Sequence, residues 1–305
     1  MSATDQTPSV ARGGAAASVD LPADARSLLE PALRRLRVGE TQPLGWLKRE
    51  LQLQARGITS QLPLFWHYLN QSKWMGTGGS EPEQFLPYYL NGLIPLSYQL
   101  PEEDGLGRLR DQYVSHILSA QASIASQGGW LGPAVGTSAT ASRNYWSKYP
   151  AVEAFESYAE AAPPEEAARV VGALVAHHRA FHAQLEAQAP SLNGSRWGFA
   201  RHEDGIAGIE WLLDGDRGGQ GGGNSAFLWE LAEMLHVQSD AIMEGVPREL
   251  GGGYTWQQWF VAGDPFSKHD DGEPTGTAHL LRHGVDIGQA MKLGALLWRD
   301  RKSVV

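Results

Sequence analysis

Amphipathic helical periodicity, with almost no strand-type alternation, is the feature that most restricts what this chain can fold into. Apolar residues recur at three- and four-residue intervals, whereas alternating runs of β-branched residues are nearly absent. The pattern predicts helices over ADARSLLEPALRRLRVG, PLGWLKRELQLQARG, EQFLPYYLNGLIPLSYQL, DGLGRLRDQYVSHILSAQASIAS, PPEEAARVVGALVAHHRAFHAQLEAQ, EDGIAGIEWLLD and NSAFLWELAEMLHVQSDAIM. We therefore expect an all-α fold of paired helices in a ring or stack, with function at the loop ends.

The last stretch, TAHLLRHGVDIGQAMKLGALLWRDRKSVV, continues the helical spacing. Its apolar residues predict one buried helix face formed by Leu281, Val285, Met291, Ala295 and Trp298. In the third predicted helix, two prolines at positions 87 and 95 are expected to kink or divide the segment.

Composition excludes several classes of protein. The formal net charge is −9, and an acidic chain is a poor candidate for binding nucleic acid. No apolar run is long enough for a membrane span, and the start of the chain lacks the features of a signal peptide. The absence of cysteine excludes thiolate chemistry within these residues and is compatible with a cytoplasmic protein. We expect a disordered leader over residues 1–22, followed by one helical domain over residues 23–305.

The segment RWGFARHEDGIAGIEWLLD groups His202, Glu203 and Asp204 at a predicted helix start. Carboxylates and imidazoles hydrogen-bond sugar hydroxyls, and a pair of carboxyl groups can supply an acid and a base. The alternative is that Glu203 and Asp204 simply complement the positive end of the helix dipole.

Aromatic and acidic residues are combined in SKWMGTGGSEPEQFLPYYLNG, which includes Trp74 and Glu83. That mixture suits a carbohydrate cleft, although the aromatic residues could equally belong to the core. His283 interrupts an apolar helix, where it is either a satisfied buried histidine or a residue that faces a ligand.

A possible metal site is the pair His178 and His182, whose four-residue spacing occurs in zinc-binding helices. No glutamate lies between them and no third ligand is evident. We therefore interpret the pair as solvent-facing and expect no metal site.

Six segments occur in a characteristic order: GWLKRELQLQ, KWMGTGGSEPEQFLPYYLNGLIPLSYQL, LRDQYVSHILSAQ with GWLGP, RHEDGIAGIEWLLD, FLWELAEMLHVQ and RHGVDIGQAMKLGALLWR. Together they resemble the β-L-arabinofuranosidase-like family, glycoside hydrolase family 127. The resemblance covers roughly residues 40 to 300 and rests on the order of the motifs. It implies an (α/α)6-barrel-like toroid that is incomplete here, and action on non-reducing-end L-arabinofuranosyl or related sugars.

The resemblance also assigns residues. His202 and Glu203 match a substrate-site segment, and His283 matches a histidine of a later barrel helix. Ile209 stands where that segment often has a second histidine, which puts the sugar specificity in doubt. The family's catalytic glutamate and cysteine, with further cysteines that hold zinc, are expected beyond Val305. The chain as given is therefore expected to be inactive and to need no cofactor, while a full-length homologue could bind zinc.

Two other hypotheses remain open at this point. One is a non-catalytic carbohydrate-binding or scaffold protein that keeps the cleft without the nucleophile. The other is an unrelated α/α-toroid enzyme, such as a polysaccharide lyase or another glycosidase, that uses Glu203 and Asp204 directly. If helices are missing after Val305, Met291, Leu296 and Trp298 should be partly uncovered, which would favour self-association.

Overall fold

Helices separated by irregular connections make up the computed structural model, which describes residues 27–76, 83–123, 128–133, 135, 144–187, 198, 200–219, 225–244 and 284–301. The α-helices are α1 (Gly45–Gln54), α2 (Ser60–Phe65), α3 (Phe85–Gln99), α4 (Asp104–Ser123), α5 (Tyr149–Ala161), α6 (Pro164–Ala187), α7 (His202–Leu213), α8 (Ala226–Glu244), α9 (Gly284–Ala290) and α10 (Leu293–Arg301). Within these ranges there is no β-strand, which confirms the all-α prediction. The expected leader over residues 1–22 lies outside the described residues.

Most of the predicted helices are present close to their expected bounds. Helix α6 begins at Pro164 with two glutamates in its first turn, as a proline-and-acid start predicts. Helix α3 continues through Pro95, so the expected division does not occur. Helix α5 was not predicted, although Pro150 lies at its start and most of its residues are buried.

Helix α5 lies at the centre of the described fold. It packs against α3, α6 and α7, and α7 packs in turn against α8 and α10. Close approach of α7 to α5 depends on a glycine, because a Cβ at Gly208 would lie 2.8 Å from Val152 Cγ1. This packing puts the first turn of α7 inside the protein rather than at its surface.

The first predicted helix, over residues 23–39, is wrong for its described part. Residues 27–44 form no helix, and Leu33 is exposed. Pro31 has no N–H to donate and restricts the residue before it, which explains why the periodic pattern does not form a helix. The segment is instead held by tertiary contacts, since Leu29 N–H donates to the Arg299 carbonyl at 2.9 Å and Arg35 pairs with Glu160.

The second predicted helix is present, and its predicted end at Gly57 coincides with a kink. Helix α1 continues into a π-helical turn at Ala55–Thr59, where Gly57 departs from helical backbone angles, and α2 follows. The apolar residues Trp46, Leu53, Leu64 and Phe65 of this region are exposed.

The predicted buried face of the C-terminal stretch is wrong. Val285, Met291 and Trp298 are exposed, while the buried positions are Asp286, Ala290, Leu293, Leu296 and Leu297. The pattern assumed one continuous helix, whereas a turn at residues 291–292 separates α9 from α10 and changes the phase of the two faces. The expected exposure of Met291 and Trp298 is therefore confirmed, and that of Leu296 is not.

None of the described helices combines the length and the apolar character that crossing a bilayer requires.

Candidate functional site

The first turn of α7 carries three consecutive polar residues that are all buried: His202, Glu203 and Asp204. No side chain caps this helix end, because Arg201 at the N-cap position makes no capping hydrogen bond. His202 instead packs against His236 of α8, and Asp204 accepts hydrogen bonds from Gln289 of α9 and from Lys292. Dipole complementation alone does not require such burial, and we call this group with its partners the α7 cluster.

Arg201 fixes one side of the α7 cluster. Its Nε donates to Asp286 Oδ1 at 2.8 Å, and its Nη1 donates to the Tyr88 hydroxyl at 3.1 Å. The guanidinium also lies over the ring of Trp146, 4.5 Å from the centroid. Both partners of the Arg201–Asp286 ion pair are buried, so this pair joins α7 to α9 inside the protein.

Asp204 is held by one donor from α9 and one from the turn that follows it. Gln289 Nε2 and Lys292 Nζ both donate to its carboxylate oxygens. Burial acts to lower the pKa of Lys292, but the carboxylates of Asp204 and Glu153 together outweigh this effect and the net shift is upward.

The α7 cluster reaches solvent beside Lys292. This lysine also lies 3.6 Å from Glu153, which accepts a hydrogen bond from Asn91 at 3.0 Å. The side chains of Lys292 and Glu153 are 43% and 33% exposed. They therefore form the edge at which a ligand would approach the buried residues.

Glu203 differs from its neighbours because its buried carboxyl oxygens have no hydrogen-bond partner on another described residue. The side chain is fully buried, and neither carboxyl oxygen hydrogen-bonds to another described residue. His202 Nδ1 lies 3.6 Å from Glu203 Oε2. Burial raises the pKa of Glu203 well above its ordinary value; the carboxylates of Asp204 and Asp286 add to the shift, while its own backbone N–H and Lys292 oppose it. Burial therefore favours the neutral form of Glu203, and a protonated carboxyl group can both donate and accept a hydrogen bond.

His202 lies behind Glu203, against α8. Its ring packs edge to face with His236, with the ring centroids 5.4 Å apart. Helix α8 thereby forms the back wall of the α7 cluster.

Trp74 and Glu83 lie together in a second group, which we call the Lys148 cluster. The Trp74 indole N–H donates to the Glu83 carbonyl at 2.7 Å, and Trp74 is buried. The ammonium of Lys148 lies over the Trp74 ring, 4.7 Å from the centroid, and donates to the Pro133 carbonyl. Burial lowers the pKa of Lys148 to about 7, opposed by the Glu83 carboxylate. Trp74 thus has a packing role here, and the Glu83 side chain forms an ion pair with Lys73 at 3.0 Å.

The two clusters are connected through residues 145–149. Trp146 and Tyr149 face the α7 cluster, since Trp146 stacks on Arg201 and a Cβ at Gly205 would lie 2.9 Å from Tyr149 Cε1. Lys148 faces Trp74 instead. One short segment therefore positions residues of both clusters.

The interpretation of His178 as solvent-facing is wrong. His178 is buried and its Nδ1 lies 2.8 Å from the Leu174 carbonyl, while burial lowers its pKa to about 4. His182 points elsewhere and pairs with Glu230 at 3.0 Å. In the part of the chain that the structure describes, no group of three or more histidine and carboxylate side chains could hold a metal ion.

Sequence reasoning identified three of the residues that the α7 cluster brings together, but it missed several partners. Glu153, Gln289 and Lys292 carry no local motif, and each enters the cluster only through long-range packing. Tyr88 and Asn91 belong to the aromatic and acidic segment that suggested a cleft, so that signal could have linked α3 to the site. His283 lies outside the described residues.

No family model, curated protein or solved structure matches this chain.

Proposed function

We propose that this chain is a glycoside hydrolase-type protein that binds a sugar at the α7 cluster, on helices arranged as part of an (α/α)-barrel-like toroid. The resemblance of its motifs points to non-reducing-end L-arabinofuranosyl or related sugars. One observation carries the proposal: Glu203 buries two carboxyl oxygens without a hydrogen-bond partner from another described residue. Buried polar groups normally have partners, so an orphaned pair beside a group of polar side chains suggests a ligand.

The chemistry of the surrounding groups suits sugar hydroxyls. A hydroxyl both donates and accepts, and so does the neutral carboxyl of Glu203. Asp204 and Glu153 supply acceptors, while Lys292 and Asn91 supply donors. Tyr88 and Trp146 add aromatic surface beside Arg201, which suits the apolar face of a sugar ring.

A second candidate function is hydrolysis that uses Glu203 directly as the proton donor. Its raised pKa favours this role, because a general acid must keep its proton near neutral pH. Asp204, which accepts hydrogen bonds from an ammonium and an amide, adds the second carboxyl group that such a reaction needs.

Binding and catalysis can be separated with two substitutions at one position. The purified chain is titrated with methyl β-L-arabinofuranoside in a calorimeter and assayed with an aryl β-L-arabinofuranoside. Glu203→Ala should abolish binding. Glu203→Gln keeps a donor and an acceptor and should still bind, but it cannot transfer a proton and should lose any turnover.

The matched control is Glu210→Gln, two turns further along the same helix, where Arg299 already pairs with the carboxylate at 3.0 Å. This variant should bind the sugar as the unmodified chain does. Absence of binding by the unmodified chain would refute the sugar site, and turnover that survives in Glu203→Gln would refute the role of Glu203 as the acid.

A further inference from the structure

We propose that a separate pocket, beyond the other end of α7, binds a small organic anion that carries both a carboxylate and a hydroxyl group, of the size of a sugar acid. Its polar lining residues are Arg37, Glu160, Trp211 and Arg217. Trp211 lies eight residues after Glu203 on the same helix, a rise of roughly 12 Å along the axis. The pocket is therefore distinct from the α7 cluster and does not depend on the function proposed for it.

The dimensions of the pocket suit a monosaccharide-sized molecule. It has a volume of about 170 Å³, between the carbonyl-rich end of α7 and the first turns of α6. This is well above the roughly 10–15 Å³ that a single water requires and below the roughly 300–1,000 Å³ typical of drug-sized ligands. Pro164, Ala167 and Val171 of α6 supply an apolar wall.

Glu160 supplies an acceptor that the described protein leaves unused. Its Oε1 accepts from the Trp211 indole N–H at 2.9 Å and pairs with Arg35. Its Oε2 is buried and makes no hydrogen bond to any described residue, and the side chain is only 6% exposed. A hydroxyl of a ligand would satisfy this oxygen, which is why the ligand must carry a donor.

Two guanidinium groups favour an anion. Among the residues that line the pocket, Arg37 and Arg217 supply two positive charges against the one carboxylate of Glu160, which also pairs with Arg35. Glu40 interacts with Arg37 from outside the lining. Arg217 uses Nη1 for the carbonyls of Trp211 and Asp214 and lies 4.6 Å from the Trp211 ring centroid, which fixes its position.

Both arginines retain donors for a ligand. Nε and Nη2 of Arg217, and the whole guanidinium of Arg37, make no hydrogen bond to the described part of the chain. A planar fork of donors fits a carboxylate better than a neutral group.

The experiment uses the full chain and two probes that share a ring and differ in charge, D-glucuronate and D-glucose. Binding of each is measured by saturation-transfer NMR and by calorimetry. D-Glucuronate should bind, and D-glucose should bind at least about tenfold more weakly because it lacks the carboxylate.

Two surface substitutions test the location. Arg37→Ala should weaken D-glucuronate binding about fivefold, a modest loss because this arginine is exposed. Ala168→Leu places a larger side chain on the exposed wall of α6 without disfavouring the helix, and it should abolish binding. Arg49→Ala, which removes the same charge from exposed α1, should leave binding unchanged.

Three outcomes would overturn the proposal. They are no binding of D-glucuronate, equal binding of D-glucuronate and D-glucose, and binding that neither Arg37→Ala nor Ala168→Leu reduces.

Discussion

The α7 cluster and the Lys148 cluster each bury an ionisable group, and both are positioned by residues 145–149. They differ in whether the buried polar atoms have partners in the described protein. Lys148 has a carbonyl and an aromatic ring as partners, so its environment is complete within the described protein. Glu203 has no hydrogen bond to another described residue. Burial of a charge-bearing group therefore does not by itself mark a site. What separates the two is whether the surrounding protein satisfies the buried atoms.

Helix α7 repeats this contrast along its own length. Glu210 is also buried, and burial raises its pKa to about 7, opposed by Arg299. Its Oε2 is nevertheless paired with Arg299, which ties α7 to α10. Glu203 is therefore the glutamate of α7 whose carboxyl group forms no ion pair with another described helix.

The largest effect should come from removing the buried ion pair that holds the α7 cluster together. Asp286→Ala leaves the guanidinium of Arg201 buried without its carboxylate, and we expect a loss of about 3–5 kcal/mol in the free energy of unfolding. Urea denaturation followed by circular dichroism measures it.

The control is Glu230→Ala, which removes an exposed partner of His182 and should cost less than about 1 kcal/mol. Equal losses in the two variants would mean that the Arg201–Asp286 pair does not support the cluster.

Alanine substitutions of one glycine in each cluster should destabilise the protein to different extents. Gly132→Ala, in the Lys148 cluster, combines a left-handed backbone (φ +71°) with a Cβ 2.2 Å from the Trp74 ring, and should cost about 2–5 kcal/mol. Gly205→Ala, in the α7 cluster, meets Tyr149 at 2.9 Å and should cost about 1–3 kcal/mol.

Gly172→Ala is the control for these glycines. It lies within α6 with nothing within 4 Å of the added Cβ, so the change should stabilise the protein by about 0.5–1 kcal/mol. Thermal or urea unfolding of the three variants should preserve this order, and the reverse order would contradict the described packing.

The smallest effect should be on the pH dependence of stability. The buried groups of the two clusters should change the free energy of unfolding in opposite directions as the pH rises. The pKa of Glu203 is raised from 4.5, so the folded state keeps a proton that the unfolded chain loses, and stability falls as pH rises above about 4.5. Burial lowers the pKa of Lys148 from 10.5 to about 7, so its contribution makes stability rise between pH 7 and 10.5. Each slope is at most about 1.4 kcal/mol per pH unit.

The variants Glu203→Gln and Lys148→Met isolate these contributions. The stability of Glu203→Gln relative to the unmodified chain should increase with pH, and that of Lys148→Met should decrease above pH 7. Unfolding free energies measured at several pH values give both differences. Curves that stay parallel to that of the unmodified chain would show that neither group changes its protonation on folding.

The sequence predicted the α7 cluster better than it predicted the surroundings of Trp74 and Glu83. Because His202, Glu203 and Asp204 are adjacent in the chain, one local motif was sufficient to identify all three as candidate site residues. Trp74 was expected to face a ligand, but aromatic composition cannot distinguish a cleft from a core, and the residue packs against Lys148 and Gly132. The described fold gives no position for His283.

Periodicity and end signals determined the all-α class and the bounds of helices such as α4, α6, α7 and α8, because these depend on contacts three or four residues apart. The same local rules failed over residues 27–39 and at the turn between α9 and α10, where proline restrictions and a change of helix phase prevail. The partners of the site residues, in contrast, depend on long-range packing. Arg201 meets Asp286, and Asp204 meets Lys292, across 85 and 88 residues of chain. No local pattern encodes such pairs, since they arise from the packing of whole helices around α5 and α7.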